Sequence, residues 1–276
     1  METNWISVGD LAASFAVSSN ALAPVADLTG KSFDIDFGAG EVIAYRFADN
    51  LMLTWQVACS GETGNDTYRA TALRPGIYFV DFVKSSARAS SVSIVLDLER
   101  GIATAVIGTL PDAQRAGIPA VELAYRKSEL TGVDVEIRQG AIDRTFDNAS
   151  PTHETTGELV GKRVQYRYNP HESYEHIYLS QKMYTWHCLS GIEQGLADTD
   201  RCHYHKVRDG LYLFVWREKI VPTLGVIMID LEQLKTTGKI FGYAGEDFSA
   251  LSNFPVGAHA TVLADAASAD GPEHAQ

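Results

Sequence analysis

The chain has 276 residues, 45% of them hydrophobic and 21% charged, with a formal net charge of -12. This is enough chain for two small domains with real cores. The acidic balance argues against a nucleic-acid or anionic-membrane partner, since both need a basic face.

No window approaches the ~20 apolar residues of a membrane span. The first 22 residues, Met1 to Leu22, lack the basic-then-apolar pattern of a secretory leader. The three cysteines, Cys59, Cys188 and Cys202, show no CxxC spacing. A reduced, cytoplasmic setting is the simplest expectation.

In chain order, Val8 to Ser18 reads as a short helix. Short β-branched and aromatic runs follow, broken by Gly, Asp and Asn: Ser32 to Phe37, Glu41 to Phe47, Leu51 to Ala58, Ile77 to Val83 and Ser91 to Leu98. Asp112 to Ala116 suits a second short helix, and Val121 to Tyr125 with Val133 to Arg138 reads as a hairpin. Residues 147–157 are polar and turn-rich, the best linker between an N-terminal unit, 1–146, and a C-terminal unit, 158–256. Strands resume at Arg163 to Tyr168, Tyr174 to Leu179, Met183 to Leu189, Leu211 to Glu218 and Gly225 to Leu231. Residues 257–276 are mostly small and polar and read as a disordered tail.

The two strand sets are copies of each other. Leu28-Thr29-Gly30-Lys31 returns 131 positions later as Leu159-Val160-Gly161-Lys162, and Trp55 returns as Trp186 at the same shift. Gly76 to Val80 returns as Gly210 to Phe214 at a shift of 134, and Leu96-Asp97-Leu98-Glu99 as Ile229-Asp230-Leu231-Glu232 at 133. The expected fold is therefore all-β: two tandem antiparallel barrels from an internal duplication, closed so that no sheet edge is left open.

Side chains alternate across a strand, so parity assigns faces. Tyr212, Phe214, Trp216 and Glu218 share one face; Val164, Tyr166 and Tyr168 share another, as do Tyr184, Trp186 and Cys188. A carboxyl among aromatics should have a raised pKa and carry a proton near neutrality. The alternative leaves Glu218 in water at the strand end, paired with Lys219 or Arg217. The first copy replaces this set: Tyr166 maps to Ile35, Tyr168 to Phe37 and Glu218 to Lys84.

His187, His203 and His205 with Cys188 and Cys202 invite a metal reading, but Cys202 and His203 face opposite ways and no spaced acid completes a set. Gly38-Ala39-Gly40 and Gly61 to Gly64 are turn glycines with no helix after them, so the dinucleotide fingerprint fails. No metal and no cofactor is expected.

Gly161 to Tyr168, Tyr174-Glu175, and Gly210 to Tyr212 leading into Trp216-Arg217-Glu218 resemble the phenolic acid decarboxylases, which are lipocalin-like (calycin) barrels. The whole chain, with its run Gly157 to Lys162, resembles the MoaF family (molybdenum cofactor biosynthesis protein F-like). That family name is no evidence of molybdenum chemistry, since the chain has no pterin-binding Gly-rich motif. The decarboxylase resemblance implies a cofactor-independent lyase acting on a small phenolic acid. It implies that Tyr166 and Tyr168 grip a carboxylate and that Glu218 moves the proton. It also implies that Trp186 and Tyr174 line the pocket, with Trp216 and Tyr212 on the same face. The family's arginine after the third strand is missing from Gly191 to Leu196, and Arg201 is its nearest substitute. A non-catalytic lipocalin-like barrel holding a small aromatic or apolar ligand is the alternative, and calycin barrels often pair as dimers.

Overall fold

In the computed structural model, which describes residues 4–87, 89–127 and 129–265, the chain folds as two closed antiparallel barrels. The first runs β1 (Ser32–Asp36), β2 (Val42–Phe47), β3 (Met52–Val57), β4 (Thr63–Arg74), β5 (Ile77–Val83), β6 (Ser90–Asp97), β7 (Ile102–Thr109) and β8 (Asp134–Ile142), with β8 closing on β1. The second repeats the meander with β9 (Lys162–Arg167), β10 (Ser173–Ser180), β11 (Met183–Ser190), β12 (Ala197–Arg208), β13 (Leu211–Glu218), β14 (Thr223–Asp230) and β15 (Lys235–Tyr243). β16 (Leu251–Val256) lies outside on β15, and β17 (His259–Asp265) closes the barrel between β15 and β9.

β4 and β12, both 12 residues long, escape the sequence reading because polar residues interrupt their alternation. Two more expectations need correction. Val121 to Tyr125 is not a strand: α3 (Ala120–Lys127) follows α2 (Ala113–Ala116), and β8 alone forms from the expected hairpin. Its Ala, Glu, Leu, Arg and Lys favour helix, and a Glu122–Arg126 pair at 2.9 Å braces one turn. Nor is the segment beyond residue 257 a free tail up to Asp265. Its small side chains carry little strand signal, but β17 is held by ladder bonds, with Ala260 opposite Tyr166. Residues 266–276 lie outside the described residues.

The N-terminal helix α1 (Val8–Ala16) forms where expected, with Ser7 accepting from the Asp10 N–H as its cap. It does not serve the first barrel, to which the sequence reading assigned it. Val8 and Phe15 are buried in the core of the second, where Phe15 packs 4.7 Å from Tyr168. The helix is apolar on one side and docks where a barrel end is otherwise open.

The barrels meet across outward faces that carry a shared apolar layer, including Leu73, Ile77 and Phe79 from one and Leu213, Val215 and Leu224 from the other. Two ion pairs cross this layer reciprocally. Arg74 Nε donates to Asp230 Oδ2 at 2.6 Å, and Arg208 donates to Asp97 through Nη2 at 2.8 Å. Arg74 also pairs with Glu232 and Arg208 with Glu99. Arg74 and Arg208 are repeat equivalents, as are Asp97 and Asp230, so the contact has the self-complementary form of a two-fold dimer interface within one chain. The linker is pinned into the same seam: His153 is wholly buried, its ring nitrogen 2.7 Å from Thr104 Oγ1.

Asp230 and Asp97 are fully buried, so removing either leaves a guanidinium short of its partner. Asp230→Ala and Asp97→Ala are each expected to cost about 3 kcal/mol in urea unfolding. A loss under ~1 kcal/mol in both would show that the seam does not depend on these pairs.

Candidate active site in the second barrel

The inward faces of β9 to β13 fill the second barrel with aromatic rings, as parity requires. Phe214 stacks on Tyr204 at 5.4 Å and on Trp216 at 5.2 Å. Trp216 lies flat over Gly225, its neighbour on β14, where any Cβ would fall 2.1 Å from the ring. Glycine there is a condition of the tryptophan's position.

Glu218 ends this strand on the inward face, in a cavity of about 30 Å³. Its Oε1 accepts a 2.9 Å hydrogen bond from Trp216 Nε1. It is not a solvated strand end: it is partly buried and lines this cavity among aromatic rings. Burial, reinforced by the nearby Asp200 and Glu193 carboxyls, pushes its pKa well above the usual range. Neither Lys219 nor Arg217 pairs with it. Lys219 turns to Asp198 and Asp200, and Arg217 reaches Glu129 at 3.2 Å.

Two further acids stand close by. Asp200 accepts from Trp186 Nε1 at 3.1 Å, and burial pushes it up to about 6 despite Lys219. Glu193 accepts from the Tyr174 hydroxyl at 2.9 Å and is also raised by burial. His176, packed 5.2 Å from Tyr184, is pushed down to about 3 by burial and stays neutral.

Five of the eight residues singled out from the sequence line this one cavity: Glu218, Tyr168, Tyr174, Trp186 and Trp216. Three do not. Tyr166 faces inward but lies deeper, its hydroxyl 2.7 Å from that of Tyr178. Tyr212 turns to Glu158, 2.8 Å away and outside the cavity. Arg201 is on the outward face of β12, because its neighbour Cys202 faces the core; it lies 3.8 Å from Glu129. The same alternation turns His203 and His205 outward, away from Cys202. Among the described residues no group of three His, Cys, Asp or Glu side chains could hold a metal.

Tyr184 takes the place expected of Tyr166. Its hydroxyl and that of Tyr168 share the cavity with Glu218, and neither is hydrogen-bonded to a described side chain. Asp200 and His176 escaped the sequence reading. Asp200 was legible through the repeat, since it maps to Asp66, and Trp55 Nε1 donates to Asp66 at 2.8 Å in the first barrel. His176 was legible only as the middle of the alternating Tyr174-His176-Tyr178.

A helix completes the cavity wall: Leu11 and Phe15 of α1 form part of it. Ser14 of the same helix donates to Glu172 at 2.5 Å, which anchors the cap.

Family models for the MoaF N-terminal domain and the MoaF C-terminal domain match residues 3–112 and 153–266. Protein MoaF of Klebsiella aerogenes is 46% identical over 263 residues, spanning 95% of this chain and 96% of that protein. The chain belongs to the MoaF family. The interval between the two matches, residues 113–152, contains α2, α3 and β8, which closes the first barrel, as well as much of the stretch that joins the barrels. A crystal structure of a candidate β-lactamase from Burkholderia vietnamiensis covers 38% of this chain and 95% of its own at 15% identity, with a TM-score of 0.32, too low to bear on fold or chemistry. The MoaF match spans both halves; the likeness of the second half to decarboxylases stays a resemblance of short motifs. No helix among the described residues is long and apolar enough to cross a membrane.

Two measurements check this geometry. Glu218 holds its proton more tightly folded than unfolded, so wild-type stability should fall as pH rises from about 4.3 towards its folded pKa. Glu218→Gln removes that dependence while keeping an acceptor for Trp216. Its melting temperature should therefore gain on wild type between pH 4 and pH 8; a gap that does not change with pH would contradict a protonated Glu218. Phe15→Ala should destabilise by about 3 kcal/mol and admit small apolar probes to the second barrel. Unchanged stability would show that α1 does not cap it.

Proposed function

We propose that the second barrel carries out cofactor-independent, lyase-type chemistry on a small aromatic molecule, with Glu218 as proton donor. The observation that carries this reading is the placement of Glu218: a carboxyl whose pKa burial pushes well above the usual range, walled by rings and adjoining Tyr168 and Tyr184. A general acid needs a proton to give at the working pH, and burial supplies it. The two phenols are neutral donors that can hold a carboxylate without quenching the acid.

For a para-hydroxycinnamate the step balances as follows. The substrate phenol gives its proton to water and reacts as the phenolate, while Glu218 gives its proton to the alkene carbon bearing the carboxylate, and a quinone methide forms. The bond to the carboxylate then breaks, its electron pair re-forms the alkene and restores the aromatic phenolate, and carbon dioxide leaves. The phenolate and Glu218 each regain a proton from water. Trp186 and Trp216 flank the ring, and α1 must swing aside for entry, since such a substrate far exceeds about 30 Å³.

One observation favours a second reading, a binding barrel without turnover. No Lys or Arg lines the cavity, while Glu218 and Glu193 do, so an anion gains no full positive charge there. A neutral aromatic ligand would suit those walls.

Incubation with hydroxycinnamates and related lignin-derived phenols, followed by ultraviolet absorbance, separates the two. Turnover that falls about 10²-fold or more in Glu218→Gln, with substrate binding retained, is the expected result. Tight binding with no turnover, unaffected by Glu218→Gln, would sink the enzyme reading and leave the binding barrel.

A further inference from the structure

The first barrel is not a solid support. It holds an open cup of about 150 Å³ at the position where the second barrel holds Glu218. The room comes from the repeat differences: Ile43 stands for Tyr174, Phe82 for Trp216 and Phe37 for Tyr168. No residue of α1, α2 or α3 lines this cup. A cavity of this size lined by apolar side chains is known to accept benzene in another protein.

The walls are Phe37, Ile43, Trp55, Phe82, Val92 and Ile107. The ring of Trp55 is fixed twice, by its hydrogen bond to Asp66 and by Gly64 beneath it, where a Cβ would lie 2.3 Å away. The Tyr45 hydroxyl opens on the same space, in the place of His176.

The rim is charged, and its two acids are held unequally. Arg138 grips Glu41 at 2.5 Å and Glu136 at 2.7 and 2.9 Å, a closed network. Lys84 replaces Glu218, so a basic group stands in the first barrel where the second holds an acid. Its ammonium sits 4.3 Å above the Trp55 ring and 2.9 Å from Glu62. In that pair Lys84 is the enclosed member, its side chain 20% exposed, and Glu62 the exposed one at 48%. A half-exposed acid leaves such a pair at little cost. What remains is a cation held over an aromatic floor.

We propose that this cup is a second small-molecule site, selective for a planar apolar carboxylate of benzoate size, with its ring against Trp55 and Phe82 and its anion on Lys84 in place of Glu62. A cationic ligand is disfavoured because it would have to expel the enclosed lysine. The site is independent of the chemistry proposed for the second barrel.

The test is titration of the full chain with benzoate, followed by the indole N–H signals in a nitrogen-15 correlation spectrum, with Trp55→Phe assigning that signal. Benzoate should shift the Trp55 signal and leave those of Trp186 and Trp216 in place. Benzyl alcohol, the uncharged control, should bind about tenfold more weakly or worse. Lys84→Met should remove that preference, and Lys84→Arg should keep it, which guards against a general loss of fold. A Trp55 signal that benzoate leaves unmoved, equal affinity for acid and alcohol, or a Lys84→Met protein that still prefers benzoate would each overturn the proposal.

Discussion

The reciprocal exchange of Arg74 with Asp230 and Arg208 with Asp97 is the constraint around which the rest of the structure is arranged. Each carboxylate is taken wholly out of water, which costs several kcal/mol unless an opposite charge and hydrogen bonds replace the solvent. Burial pushes Asp230 up, but Arg74 and the backbone N–H groups of Gln233 and Glu232 outweigh it and hold the carboxyl below its usual range. Such pairs specify an arrangement more than they add stability, because a slipped interface would strand a charge. Thr71 and Thr237, 2.8 Å apart, and Lys239, which donates to Ser91 at 2.5 Å, lock the same register.

That register fixes which ends of the barrels remain accessible. With one sheet face of each barrel consumed in the seam, the barrel interiors are reached from the barrel ends. α1 then breaks the symmetry. It crosses from the start of the chain to the second barrel and fills its mouth with Leu11 and Phe15, while the first barrel's mouth keeps only a rim of ion pairs. One duplicated scaffold thus presents a small acidic chamber and a roomier cup with a lysine. Both retain the hydrogen bond from tryptophan to aspartate, Trp55 to Asp66 and Trp186 to Asp200, which sets the indole in each wall.

The acidic chamber departs from what stability alone would favour. Three carboxyls, Glu218, Asp200 and Glu193, have raised pKa values in a core that apolar groups could have filled. Groups so placed cost folding free energy, and perturbed titratable clusters of this kind concentrate at functional sites. Trp186 and Trp216 each orient one acid with an indole N–H; that hydrogen bond favours the ionised form, but burial outweighs it and raises both pKa values.

The sequence by itself determined the duplication, the all-β class and the inward set of Tyr168, Trp186 and Trp216, while leaving Glu218 between that face and solvent. These depend on period-2 alternation and on landmarks kept in order, both of which are local properties of the chain. It also contained the acids of the seam, Asp97 and Asp230, as a repeat landmark without a role. Only the tertiary structure decided their partners, because reciprocal pairing between barrels has no signature along the chain. It likewise decided that β17 closes the second barrel, that α1 caps that barrel and not its own, and that Tyr184 and not Tyr166 adjoins Glu218. Each of these outcomes turns on which groups fill a space left by residues more than a hundred positions away or by the far wall of a closed barrel, and no spacing rule carries that information.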